Sequence, residues 1–275
     1  MAVPDRFPQR IVCLTEETTE TLYLLGEERR IVGISGYTVR PARARREKPR
    51  VSAFLSAKTA RIVELKPDLV LGFSDLQADI SKDLVRQGLN VAIFNQRSVE
   101  EILRMIQVLA AMVGAQAKGE ALVARLEAGL DRIRAQAAGF RARPKVYFEE
   151  WDEPMISGIR WVSELVGIAG GDDVFPELAL SQGAQGRTIA DPAEVARRAP
   201  DIIVGSWCGK KFRPERVAAR PGFAGIPAVR EGELHEIKSS EILQPGPAAL
   251  TDGVARLHAL FAAWASRPPD ARYKR

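Results

Sequence analysis

The residues best suited to chemistry gather directly after runs of apolar β-formers. Thr15, Glu16 and Glu17 follow the run at 10–14, and Ser35, Gly36 and Tyr37 follow the one at 31–34. Phe73 and Ser74 close the run at 69–73. The run at 146–149 ends in Glu149 and continues as Glu150 and Trp151, and the run at 202–205 leads into Ser206, Trp207 and Cys208. In open α/β sheets ligands bind beyond the carboxyl ends of the strands. Aromatics make up only 7% of the chain, yet they stand at four of these five exits. Together with Phe54 in the Ser52-Ala53-Phe54 loop, they would form an aromatic surface for a large, rigid, partly apolar ligand. The ligand-binding candidates are therefore Tyr37, Phe54, Phe73, Glu150, Trp151, Trp207 and Cys208.

Each candidate also has a plainer reading. Tyr37, Phe54 and Phe73 could close the edge of a core. Glu149 and Glu150 are either surface charges or partners for amide groups of a ligand. Trp161, at the start of a helix ending at Gly170-Gly171, either packs the core or lines the ligand surface. Cys208 is the sharpest chemical candidate: its thiolate, beside Lys210 and Lys211, could ligate cobalt or iron, against the alternative of a small buried residue. Cys13 lies inside the first apolar run and reads as core. The two cysteines form no CxxC pair, which argues against a disulfide scaffold or a structural zinc site. His235 and His258 fit no metal-ligand spacing. GxSxG, HExxH, Walker A and strand-following GxGxxG motifs are all missing, so no catalytic residue is assigned and a non-enzymatic protein is expected. The only carboxylates placed for an enzyme reading are Glu16 and Glu17 with Glu149 and Glu150.

The elements that would position these residues show an internal repeat. RIVELKPDLVLGF (61–73) and AEVARRAPDIIVG (193–205) each give a short amphipathic helix, a Pro-Asp turn and a strand with the continuous hydrophobicity of one buried on both faces. TETLYLLGEERRIVGIS (19–35) and WVSELVGIAGGDDVF (161–175) each give a helix closed by glycine and then a short strand. Strands are expected at 10–14, 31–34, 69–73, 91–94, 146–149, 202–205 and 233–237, with a final helix over roughly 247–266. Two helices lie between the repeats. One follows the capping box Ser98…Glu101, and the second covers 116–138, which at 1.5 Å per residue would reach roughly 35 Å. The predicted fold is α/β: two similar lobes with mostly parallel sheets joined by one long helix. Its expected domains are an N-terminal lobe (1–97), a linking helical region (98–143) and a C-terminal lobe (144–275).

The 275 residues, 46% hydrophobic and 27% charged, suit a globular protein with substantial cores. The net charge of +5 is spread mainly over arginines mixed with Glu and Asp. The one dense basic run, Arg40 to Lys48, has no interleaved aromatics, so nucleic acid is not expected, and no apolar run approaches the roughly 18 residues needed for a membrane span. The start, MAVPDRFPQRIVCL, lacks the pattern of a secretory signal, so the chain as given is expected in the cytoplasm, or in the periplasm if a leader has been removed.

Several segments, taken in order, resemble a known family. They are the Thr-Glu-x-Leu helix after the first strand, ARIVELKPDLVLGF, the linking helix, ISGIRWVSELVGIAGGDDVF and AEVARRAPDIIVGS. Together they are similar to the substrate-binding proteins of vitamin B12 and iron-siderophore ABC importers over about residues 10–265. The resemblance implies two α/β lobes joined by one long helix, a ligand held between them, and no required cofactor. The implied ligand is a cobalamin-like corrinoid, with haem or a ferric siderophore as alternatives; a sensor or a chelatase-like enzyme would be a different use of the same fold. By motif position, Tyr37, Phe54 and Phe73 match cleft aromatics of B12-binding members, whereas Met155 stands where another aromatic is usual and Gln185-Gly186 replaces a Trp. For a siderophore, Arg160, Arg187 or Lys210 would supply positive charge. Family members that dock on a permease present one acidic residue per lobe. The matching positions here are Ala60 and Ala193, with Glu64 and Glu194 nearby, so the resemblance leads to an expectation of weakened docking.

Overall fold

A computed structural model describes residues 6–268. The chain divides into two compact units, one formed by residues up to Gln96 with Glu100–Arg125, the other by Arg97–Val99 with the chain from Leu126 onward.

The first unit runs β1 (Ile11–Cys13), α1 (Glu16–Leu24), β2 (Ile31–Ser35), α2 (Ala44–Glu47), β3 (Arg50–Ala53), β4 (Ser56–Ala57), α3 (Thr59–Glu64), β5 (Leu69–Phe73), α4 (Ala78–Arg86), β6 (Val91–Phe94) and α5 (Val99–Met112), with α6 (Gln116–Ala137) beginning here. Its sheet has the order β4-β3-β2-β1-β5-β6, parallel except for the β3–β4 pair. β1 and β5 lie inside the sheet and are buried throughout, which is why both read as unbroken apolar runs.

The second unit continues with β7 (Lys145–Asp152), β8 (Met155–Ser157), α7 (Arg160–Ala169), β9 (Asp172–Asp173), α8 (Ala193–Arg198), β10 (Ile202–Gly205), α9 (Pro214–Ala218), α10 (Pro227–Arg230), β11 (Leu234–Glu236), α11 (Ser239–Ile242) and α12 (Val254–Ala265). Here the order is β11-β10-β7-β8, with β9 also on β7. Only β8 runs antiparallel to its neighbour. The α/β class with mostly parallel sheets is thus observed in both units. The boundary between the units falls inside α6, between Arg125 and Leu126, so the stretch 98–143 is shared between them.

The internal repeat holds at the level of atoms. In each copy the helix ends in a non-glycine residue with left-handed backbone, Lys66 (φ 45) and Ala199 (φ 48), immediately before the proline. The following aspartate then fastens the start of a neighbouring strand. Asp68 accepts from the N–H groups of Gln9 (2.7 Å) and Arg10 (2.9 Å), and Asp201 accepts from that of Lys145 (2.9 Å). Each aspartate's own amide returns a bond to the carbonyl of Arg10 or Lys145. The Pro-Asp dipeptide therefore secures the amino end of the first strand of each unit.

Three short strands were not expected from sequence, β3, β4 and β8, whereas β9 falls in the short strand expected after the glycines that close the helix in 161–175. β7 is also longer than the 146–149 expected, because β8 folds back on it and pairs Trp151 with Ile156 and Asp152 with Met155. The register shifts between Glu149 and Trp151, so Glu150 stands at an irregularity that re-aims the side chains around it. A π-turn at Ala249–Gly253 leads into α12, and a Cβ on Gly253 would lie 2.6 Å from the carbonyl oxygen of Glu241. At the end of α7, Gly170 takes φ 98, and the Gly171 N–H caps the Val166 carbonyl at 2.9 Å.

Candidate ligand-binding site

In the first unit, α1 begins directly at the exit of β1, so its first turn carries Glu16 and Glu17 into a buried setting. Burial, reinforced by the charge of Glu17, pushes the Glu16 carboxyl up to about 8. Burial pushes Glu17 up to about 7, although the Thr15 hydroxyl donates to it at 2.5 Å. Glu17 Oε2 has no hydrogen-bond partner among the described residues. Near neutral pH these carboxyls can be protonated and can donate to a carbonyl oxygen. Glu20 is instead held by Arg40 at 2.9 Å.

Phe73 is buried at the end of β5, Phe54 is half-buried, and Tyr37 is exposed. One buried side chain ties the first two together. Gln77 accepts from the Phe73 N–H at 3.0 Å and donates to the Phe54 carbonyl at 2.9 Å. The Phe54 loop is thereby fixed to the exit of β5, and Ser74 adopts φ 65 to let the chain turn there. Tyr37 follows β2 and bonds through its amide to the Ser35 hydroxyl at 3.2 Å.

In the second unit, a fully buried carboxylate organises the exits of β7 and β10. Glu149 accepts from Trp207 Nε1 (3.0 Å), from the Tyr147 hydroxyl (3.0 Å) and from both terminal nitrogens of Arg220 (2.5 and 3.0 Å). Glu149 is thus neither a surface charge nor available to a ligand, contrary to both readings of the sequence. Burial works against the charge on Arg220, but its hydrogen bonds with Glu149 raise its pKa. Burial and the Glu149 charge push the Tyr147 hydroxyl well above its usual range.

Trp207 is buried and meets Phe212 edge-on at 5.0 Å. Phe212 in turn lies over Gly205, where a Cβ would come within 1.9 Å of the ring. Trp161 resolves as core: it is buried and donates to the Ile242 carbonyl at 2.9 Å. Glu150 forms a two-pronged pair with the buried Arg187 (2.6 and 3.0 Å), which also donates to the Ser157 carbonyl at 2.6 Å.

Trp151 is half-buried, with its indole N–H on the Glu153 carbonyl at 2.9 Å. Cys208 is exposed at a turn in which the Lys210 N–H reaches the Trp207 carbonyl at 3.4 Å and Gly209 takes φ 79. That turn sends Lys210 back over the rings. Its ammonium lies 4.3 Å from the Trp151 centroid and 5.1 Å from that of Trp207, and it pairs with the buried carboxylate of Asp152. Cys208 is therefore not the small buried residue allowed for, and Lys210, expected to act on its thiol, is engaged by Asp152 and two indoles. No cluster of three or more His, Cys, Asp or Glu that could hold a metal occurs among the described residues.

Arg220, Asp152 and Gln77 were not singled out from sequence. Arg220 stands 71 residues from Glu149 and carries no local signal. Asp152 lies beyond the strand expected at 146–149.

Residues 11–241 match the family described as periplasmic binding protein. The chain belongs to the periplasmic binding protein family. An uncharacterized ABC transporter substrate-binding lipoprotein of Bacillus subtilis (strain 168) is 24% identical over 259 residues, covering 91% of this chain and 79% of the relative. A vitamin B12-binding protein of Yersinia pestis (strain Pestoides F) is 24% identical over 223 residues, covering 80% of this chain and 76% of the relative. The solved structure of a possible iron-binding (periplasmic solute-binding) protein from Staphylococcus epidermidis superimposes with a TM-score of 0.80 at 20% identity, covering 93% of this chain and 99% of that one. The periplasmic binding protein fold therefore extends over nearly all of this chain, and its relatives are named for different ligands. No helix among the described residues is long and apolar enough to cross a membrane.

Proposed function

We propose that this periplasmic binding protein binds a cobalamin-like corrinoid, non-enzymatically, at the carboxyl ends of its parallel strands. The observation that carries this reading is the charge state of the second unit's strand exits. Arg187 and Lys210, which would attract an anionic iron chelate, are already paired with Glu150 and Asp152, and Arg160 is paired with Glu164 at 2.9 Å. The surface thus presents the half-buried Trp151 indole beside neutralised polar groups, which suits a large, flat, amide-bearing ligand better than a carboxylate-rich or catecholate one. The raised carboxyl of Glu16, the less buried of the two at the exit of β1, adds a donor for an amide carbonyl. Tyr37, Phe54, Phe73, Glu150, Trp151 and Trp207 are the proposed contacts, and Cys208 is the proposed ligand of the corrinoid metal.

Docking on an ABC permease is proposed to be weak. Ala60 and Ala193 are exposed and uncharged, and Glu194 is already held by Arg197 and Arg198. Recovery of the chain by an ABC permease complex at near-micromolar affinity would overturn that part.

The test is a titration with cyanocobalamin, hydroxocobalamin, haem and a ferric siderophore, followed by absorbance and calorimetry. Sub-micromolar binding of the corrinoids alone supports the reading. Preference for haem or the siderophore would reassign the ligand.

A further inference from the structure

We infer that Trp151, Trp207 and Asp152 form a receptor for an alkylated ammonium group, in which Lys210 is seated as a tethered internal occupant. The inference rests on the second unit's strand exits being a ligand surface, but not on the ligand being a corrinoid.

An ammonium held against two indole faces and one carboxylate has the arrangement that recognises organic cations. The negative ring faces attract the charge, and methyl groups cover the rings without needing hydrogen bonds. Lys210 Nζ occupies that position, 4.3 and 5.1 Å from the two centroids and paired with Asp152.

The walls do not depend on the lysine. Trp207 is fixed by Glu149 and Phe212, and Trp151 by the Glu153 carbonyl and its pairing with Ile156. The main chain at Asp152 is fixed by its pairing with Met155. The Asp152 side chain is only 6% exposed, so its charge needs a cation, whichever molecule supplies it. Lys210, by contrast, is 37% exposed and sits after a turn, where ordering its long side chain carries an entropic cost. The cage therefore has fixed walls and a replaceable occupant.

A tethered occupant competes like a free ligand at an effective concentration in the millimolar range. An external ammonium must displace it, so binding to the unmodified chain is weak and removing the lysine strengthens it.

The experiment titrates the full chain and its variants with tetramethylammonium chloride, using sodium chloride as the ionic control, and reads tryptophan fluorescence and heat. Circular dichroism melts establish that each variant is folded, with Lys210→Ser as the second choice if Lys210→Ala is not. Lys210→Ala is expected to bind tetramethylammonium at least tenfold more tightly than the parent, and adding Asp152→Asn or Trp151→Ala should abolish the gain. Equal affinity of Lys210→Ala and the parent, or a gain that survives Asp152→Asn, would overturn the proposal. A parallel cyanocobalamin titration separates the two readings. Ammonium binding without corrinoid binding removes only the proposed ligand, and corrinoid binding without any ammonium gain removes only the cage.

Discussion

The indole nitrogen of Trp207 donates to Glu149 Oε1 at 3.0 Å, on a carboxylate that is fully buried and already gripped by Arg220. One side chain thus fixes the ring plane and neutralises a half-buried guanidinium. Replacing Glu149 with Ala would strand Arg220, the Trp207 N–H and the Tyr147 hydroxyl together. Breaking a buried pair from one side costs about 3–5 kcal/mol. Urea unfolding should show a loss of that order, with a blue-to-red change in tryptophan emission as Trp207 loosens.

Trp151 is the ring whose removal tests ligand stacking with least damage to the core, since it is half-buried where Trp207 is buried. Trp151→Ala should weaken corrinoid binding by about 1–3 kcal/mol. Calorimetry on a variant with an unchanged melting profile checks this, and unaltered affinity would take Trp151 out of the contact set.

Gly205→Ala should destabilise the second unit severely, because the new Cβ would meet the Phe212 ring at 1.9 Å. Overpacking of this kind costs about 1–3 kcal/mol or more. A double variant with Phe212→Ala should lose the steric part of the penalty, which a mutant cycle by urea denaturation would read.

Glu16 and Glu17 should make the protein less stable as pH rises. Their carboxyls move from an ordinary 4.5 to about 8 and about 7 on folding. Between those values the folded chain holds more protons than the unfolded one, so stability falls with increasing pH. Other carboxyls, such as Glu27 and Glu233, are held low by their cation partners and act in the opposite sense at acid pH. The clean measurement is therefore a difference: Glu17→Gln should gain stability relative to the parent between pH 5 and pH 8.5. A constant difference across that range would show that Glu17 does not titrate there.

The paired aspartates should differ in cost although they play the same part. Asp201 is buried and Asp68 is exposed. Asp201→Ala should cost about 1–3 kcal/mol, and Asp68→Ala nearer the 0.5–1.5 kcal/mol of an ordinary hydrogen bond. Thermal or urea melts of the two variants would rank them.

What was legible in the sequence was local. The Pro-Asp repeat, the buried strands β5 and β10 and the glycine closing α7 each depend on neighbours a few residues apart, so spacing and residue type announced them. The strand exits followed from the strands, and they brought Trp151 and Trp207 into view. What stayed hidden depends on distant partners. Glu149 looked like one of two surface acids until Arg220, Tyr147 and Trp207 were seen around it. Lys210 looked like a neighbour of Cys208 because they are two residues apart, but the turn at Gly209 carries its ammonium onto the indoles. A strand as short as β4, two residues, is too brief for any alternation to register. The π-turn before α12 left no trace either, and the close approach of Gly253 to the Glu241 carbonyl within it joins residues far apart along the chain.

The aspartate fastenings sit at the entrances of β1 and β7, whereas the aromatic and charged groups sit where strands leave the sheets. Anchorage and the proposed contacts thereby fall at opposite ends of the strands. Exposed or half-buried exit residues such as Tyr37 and Trp151 make no hydrogen bond to either aspartate, so exchanging them would leave each fastening in place.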